Sequence, residues 1–168
     1  MATTCKLIAK VVLGSSASSI QFASIPGTYD DLLCLLTGRA AGAVTNRDFN
    51  LQFNSSASNR TIRRLRGNGS TASSDTYSSL EVGVVPGASA TSNTFGNTEI
   101  YVPNYAGSTN KSLSSTSTAE NNATSAIVMA TAGLWSDTAA ITSIDLIPNG
   151  SDSFVAGSTA YLYGITKS

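Results

Sequence analysis

The chain reads as all-β: a single jelly-roll-like antiparallel β-sandwich of about 8–10 strands covering residues 1–168. Three observations predict this. Apolar residues recur at every second position in short runs, the signature of half-buried strands. Gly, Pro and Asn punctuate those runs at the 8–12-residue spacing of a sandwich or barrel. Helical periodicity is sustained nowhere over a dozen residues; the stretch Asp30 to Gly38 lacks a cap and lies close to Pro26, a poor setting for a helix.

Taken in order, Leu7, Ala9, Val11 and Leu13 alternate with Ile8, Lys10 and Val12, and Gly14-Ser15-Ser16 ends that strand. Ile20 and Phe22 alternate with Ser19, Gln21 and Ala23 before Pro26-Gly27 turns the chain. Leu32 to Leu36 is apolar throughout and reads as a strand buried on both faces. Asn50-Leu51-Gln52-Phe53-Asn54 alternates strictly, and Leu80, Val82 and Val84 repeat the pattern before Pro86-Gly87. Thr98, Ile100 and Val102 face inward, opposite Glu99 and Tyr101, until Pro103. Ala126 to Leu134 is a longer apolar run, and Ile144 with Leu146 ends at Pro148-Asn149-Gly150. In the last strand, Thr159 to Ile165, Tyr161 and Tyr163 share one face and Ala160 and Leu162 the other. Segments 54–60, 67–79, 86–97, 104–118 and 149–153 read as long Ser/Thr/Asn/Gly loops, with Lys111 and Leu113 hinting at a strand inside the fourth.

Composition narrows the function. Charged residues make up 12% of the chain, and ten basic side chains balance ten acidic ones. Ser and Thr fill the gap at roughly a quarter of all residues. Such a surface is polar without being charged, so neither nucleic acid nor anionic lipid is an expected partner. No run of 18 apolar residues suits a membrane span, and Lys10 cuts short the only stretch resembling a leader, so no export signal is expected. Cys5 and Cys34 read as two buried free thiols on neighbouring strands, with a single bridge as the alternative.

Catalysis has little to work with. Histidine is absent, which removes the usual general base and the commonest metal ligand. Two cysteines do not complete a zinc site, and no cofactor fingerprint is present. Gly67-Asn68-Gly69-Ser70 reads as a turn rather than a phosphate loop. Glu81, Glu99, Glu120, Asp137 and Asp145 read as turn caps and edge charges rather than as a glycosidase pair. The chain is therefore expected to be non-enzymatic. Asp30-Asp31 reads as a turn in preference to a calcium site. The Asn-x-Ser/Thr triplets starting at Asn54, Asn59, Asn68, Asn110, Asn122 and Asn149 follow from composition and are not expected to carry glycans.

Arg60, Arg63, Arg64 and Arg66 form the one basic cluster. On a strand Arg64 and Arg66 share a face, opposite Arg63 and Leu65. Two readings stand. Arg64 and Arg66 project outward and hold a carboxylate surface of a neighbouring subunit, or the cluster guards an edge strand against unwanted pairing.

The ordered elements Leu7-Ile8-Ala9, Ile20 to Leu32, Asn50 to Asn54, Glu99 to Tyr105 and Ala160 to Ile165 resemble small virion structural proteins of tailed bacteriophages. The resemblance runs over nearly the whole chain. It implies a jelly-roll-like sandwich and a place on the particle, and no catalytic residues. One implied role is a capsid decoration or cement protein that binds the major capsid protein and stabilises the head shell. The other is a tail-associated fibre or knob that contacts a host glycan or surface protein. The low-charge, Ser/Thr-rich surface costs little to desolvate and predicts a homo-oligomer, a trimer in keeping with the resemblance, and the missing export signal fits a protein made in the host cytoplasm and incorporated into the virion. The compact chain with a strand near Met1 and no coiled-coil stalk favours the decoration role, and a non-viral sugar-binding sandwich is a third reading.

Overall fold

A computed structural model describes residues 4–122 and 125–167, and among them the fold is all-β. Among the described residues twelve strands follow one another: β1 (Thr4–Val12), β2 (Ile20–Phe22), β3 (Asp31–Gly38), β4 (Asn46–Phe53), β5 (Arg60–Gly67), β6 (Ala72–Tyr77), β7 (Glu81–Pro86), β8 (Gly96–Pro103), β9 (Lys111–Ala119), β10 (Ile127–Trp135), β11 (Ile144–Pro148) and β12 (Thr159–Thr166). Every pairing is antiparallel. One sheet has eight strands in the order β1-β12-β3-β8-β9-β10-β5-β6; the other has four, β2-β11-β4-β7. The arrangement is a two-sheet sandwich with which jelly-roll connectivity is compatible.

The strand count exceeds the expected 8–10 because segments read as loops fold as strands. β6 lies inside 67–79 and is exposed along nearly its whole length, so burial imprints no pattern on its residues. β9 lies almost wholly inside 104–118, where Lys111 and Leu113 hint at it, and its buried positions alternate with exposed ones and, at Thr118, a half-buried one. Its buried positions include serine. Ser115 Oγ donates to Val82 O at 2.7 Å, Ser117 Oγ donates to Val84 O at 3.1 Å, and Val84 N–H donates to Ser117 Oγ at 3.0 Å. Thus β9 hydroxyls satisfy backbone groups of β7, which is an edge strand of the smaller sheet. A short hydroxyl lets the two sheets approach closely here; an aliphatic side chain of similar size would leave those β7 groups dry and unpaired.

The main core lies between the sheets, from Ile20 and Phe22 to Ala160 and Leu162, with a satellite of Val84, Ala119, Ile127 and Met129. Phe49 meets Phe154 edge-on at 5.9 Å, and Phe53 meets Trp135 at 5.6 Å between ring centroids. The ring of Phe49 lies against Gly83, where a Cβ would overlap both that ring and Thr98 Oγ1. Glycine at this point of β7 is a packing requirement.

Two further expectations are corrected. Leu32 to Leu36 is not buried on both faces: Leu32, Cys34 and Leu36 enter the core, while Leu33 and Leu35 are only half-buried on the outer face of the wider sheet. Cys5 is exposed and Cys34 is buried, on β1 and β3 with β12 between them, so both thiols are free and they do not lie on neighbouring strands.

Candidate functional site

The most extended surface feature is the outer face of the eight-stranded sheet. Register assigns it unambiguously. One row runs Leu35, Glu99, Thr116, Ala130, Leu65, Ser74 from β3 to β6, and the next runs Leu33, Tyr101, Ser114, Ala132, Arg63, Thr76. Small residues on β9 and β10 leave a shallow trough of about 610 Å³, floored by Ala130 and Ala132 and edged by Leu65. Leu65 and Val128 are 65% and 55% exposed, and Leu134 joins them on this face. The alternation that buries one side of β9 and β10 leaves Ala, Val, Leu, Ser and Thr on the other.

The Arg cluster divides by parity as the alternation requires. Arg63 and Leu65 are exposed on the outer face, and Arg64 and Arg66 share the opposite one. Here the expected outward projection is corrected: Arg64 is 6% exposed and turns inward. Its guanidinium donates to Glu81 at 2.8 Å, Asp48 at 3.2 Å and Asp75 at 3.2 Å, and to Tyr77 Oη at 3.1 Å. Arg66 donates to Asp48 at 3.0 Å. Because Asp48 lies on β4 and Glu81 on β7, the cluster ties the two sheets together. Burial works against the Arg64 charge, but Asp48, Asp75 and Glu81 more than compensate and hold it protonated. The edge-guard reading is also corrected for β5, since β6 covers it and is itself the edge.

Two more buried polar groups escaped the sequence reading. Arg39 donates to the carbonyls of Thr91 at 2.8 Å, Thr94 at 2.9 Å, Ala90 at 3.1 Å and Ala88 at 3.4 Å, so one guanidinium orders the 88–94 loop. Lys111 is fully buried and donates to Gly107 O at 2.7 Å and Thr109 O at 2.5 Å. Burial lowers its pKa, with Asp137 pulling the other way. No apolar periodicity marks such residues; the loops that carry their acceptors are set by the tertiary fold.

Asp31, expected in a turn, starts β3 and is buried. It accepts from Tyr101 Oη at 2.5 Å, Asn104 N–H at 3.0 Å and Lys167 Nζ at 2.5 Å. Burial raises its pKa, but these three donors outweigh that and the net shift is downward. A lowered folded-state pKa contributes stability above the unfolded value of about 3.9, and that contribution is lost as pH falls through the folded value. Asp31→Asn is therefore expected to cost about 2 kcal/mol at neutral pH. The gap from the parent should close below about pH 4; urea midpoints followed from pH 7 to pH 2 measure it.

The two thiols provide a second check. Burial pushes the Cys34 thiol up to about 12, whereas Cys5 lies open on β1. A thiol reagent at neutral pH is expected to modify one cysteine per folded chain, Cys5, and two in denaturant. Intact-mass analysis before and after unfolding reads the number directly.

Four of the six triplet asparagines, Asn54, Asn59, Asn68 and Asn122, have backbone duties. Asn54, Asn59 and Asn122 hold φ of 51°, 58° and 52°, the left-handed region that Asn tolerates. Asn54 Oδ1 also accepts the N–H of Thr142 at 2.8 Å and of Ser143 at 3.1 Å, anchoring the loop before β11. Asn68 Oδ1 accepts from the N–H groups of Ser70 and Thr71, which makes Gly67-Asn68-Gly69-Ser70 a turn.

Glu81 is bound to Arg64 and Asn149, and Asp145 accepts from Gln21 at 2.6 Å and Ser55 at 3.1 Å. Glu99 is exposed on the outer face, and Glu120 accepts the N–H groups of Asn121 and Asn122. Asp137 accepts the N–H of Ala139. These carboxylates stand at separate places and do not converge as a pair. Among the described residues no group of three or more His, Cys, Asp or Glu is placed to hold a metal ion. Among them too, no helix is long and apolar enough to cross a membrane. No protein-family model, no curated protein and no solved structure matches the chain.

Proposed function

We propose that the chain is a non-enzymatic structural module of a tailed-phage virion, a capsid decoration protein that binds the major capsid protein and stabilises the assembled head. One observation carries the structural part of this reading. The buried ionisable groups Arg39, Arg64, Lys111, Asp31 and Asp145 all have partners within their own chain that lock loops or join sheets. Polar chemistry is committed to rigidity, while the broadest surface is a sheet face poor in charge and suited to being covered. The phage assignment itself rests on the resemblance of Ile20 to Leu32, Glu99 to Tyr105 and Ala160 to Ile165. Electron microscopy of purified particles, with and without the gene, tests it: density on the head that disappears with the gene supports decoration. Particles with unchanged composition and heads would reject it.

A second reading, a tail-borne receptor-binding module, has one observation in its favour. Tyr161 and Tyr163 stack at 6.3 Å on β12, half-exposed, with Lys10 Nζ 5.2 Å from the Tyr161 ring. Paired aromatic faces beside a cation suit a sugar ring. Under this reading, replacing both tyrosines with Ala abolishes adsorption to the host and leaves particle assembly intact.

A further inference from the structure

The outer face from β3 to β6 covers six adjacent strands, β3-β8-β9-β10-β5-β6, whose midline falls between β9 and β10. Among the described residues, its exposed side chains include two charges without an ion partner, Glu99 on β8 and Arg63 on β5, whereas the exposed Lys167 at the β3 side is already paired with Asp31. Each strand lies one and a half strand spacings from the midline, on opposite sides. That puts the two charges about 14 Å apart across the sheet. They do not meet within the chain: Arg63 donates to the carbonyl of its neighbour Ile62 at 3.0 Å, and among the described residues no ion pair joins either charge.

We propose that this face is a twofold, face-to-face interface between two copies of the chain, closed by reciprocal Arg63–Glu99 pairs. A twofold axis running along the strands at the midline lays β10 on the partner's β9, β5 on its β8 and β6 on its β3. Ala130 and Ala132 then oppose the hydroxyls of Thr116 and Ser114, small residues against small ones. Arg63 comes over the partner's Tyr101, level with it in the sheet, and Glu99 lies two residues further along the same strand. That offset, about 7 Å, is within reach of an extended guanidinium, and the pair forms twice. A positive and a negative group placed symmetrically about a midline are complementary to themselves under a twofold and under no threefold acting on this face. The geometry therefore points away from the trimer implied by the resemblance.

The area is adequate. Six strands at about 4.8 Å, each about 26 Å long, give a footprint of roughly 750 Å², close to the roughly 800 Å² per partner of a standard interface. The surface is poor in charge, so covering it desolvates few ions. A dimer in solution and density on a phage head are separate outcomes, so this face can pair wherever the protein is sited.

The test is a charge exchange read by sedimentation equilibrium on the full chain. The parent is expected to be a dimer at micromolar concentration. R63E sets a carboxylate against the partner's Glu99, and E99R sets a guanidinium against the partner's Arg63. Each variant alone should therefore dissociate, with Kd raised about tenfold or more. Mixing the two should restore the dimer, because both contacts across the twofold then join unlike charges. Far-ultraviolet circular dichroism and thermal midpoints of both variants confirm that they fold; if one does not, the double exchange R63E/E99R must dimerise by itself. A monomeric parent, a trimer, single variants that dimerise like the parent, or a mixture that stays monomeric each overturns the proposal.

Discussion

Arg64→Met is expected to lower stability by about 3–5 kcal/mol, because it removes the cation that three carboxylates share. The Arg64 side chain is 5% exposed, and Asp48 and Glu81 beside it are at most 20% exposed. Without the guanidinium, Asp48 retains Arg66, but Glu81 loses its only ion partner among the described residues. The two sheets then carry uncompensated like charge where β4 and β7 meet β5. Arg64→Lys keeps one positive charge but cannot reproduce a planar fork reaching Glu81, Asp48, Asp75 and the Tyr77 hydroxyl, so an intermediate loss is expected. Combining Arg64→Met with Asp75→Asn and Glu81→Gln should recover part of the loss, since neutral partners no longer need a cation. Urea unfolding of the four proteins measures this. An unchanged midpoint for Arg64→Met would place the cluster among surface pairs of no net value.

Arg39→Ala is expected to cost about 4 kcal/mol, with the damage concentrated in one loop. The guanidinium meets four carbonyls of residues 88–94 and no carboxylate among the described residues. Charge-assisted bonds of this kind are worth about 1.5–3 kcal/mol each and add incompletely. Removing the donor strands the carbonyls, which regain water only by opening the loop. Amides around 88–94 should therefore exchange faster, while those of β9 and β10 keep their protection relative to global unfolding. Arg39→Lys offers three donors from one point and should fall between the two. Uniform loss of protection across all strands would mean that Arg39 supports the whole core and not the loop.

Much of the strand inventory was legible in the sequence. Ile20 with Phe22, Leu51 with Phe53, Ile100 with Val102, Ile144 with Leu146 and Ala160 with Leu162 enter the core from the strands that their alternation predicts. Arg64 and Arg66 do share a face, since parity on a strand is a local property. Their surroundings were not legible. Whether that face meets solvent depends on Asp48, Asp75 and Glu81, which arrive from 11 to 18 residues away in sequence. β6 was hidden, and β9 only hinted at by Lys111 and Leu113, for a related reason: Ser and Thr become strand residues when a neighbour supplies the pairing, and intrinsic preference does not announce it.

Composition and alternation by themselves determined that this protein is all-β, low in charge and built from short antiparallel strands, because pleat parity and turn chemistry act over a few residues. Tertiary structure alone decided the rest. It put eight strands in one sheet and four in the other, turned Arg64 inward, drew Asp31, Arg39 and Lys111 into the interior, and left Arg63 and Glu99 on either side of a face poor in charge. Those outcomes depend on which distant segments meet, and a buried charge is tolerated only where such a meeting supplies its partner.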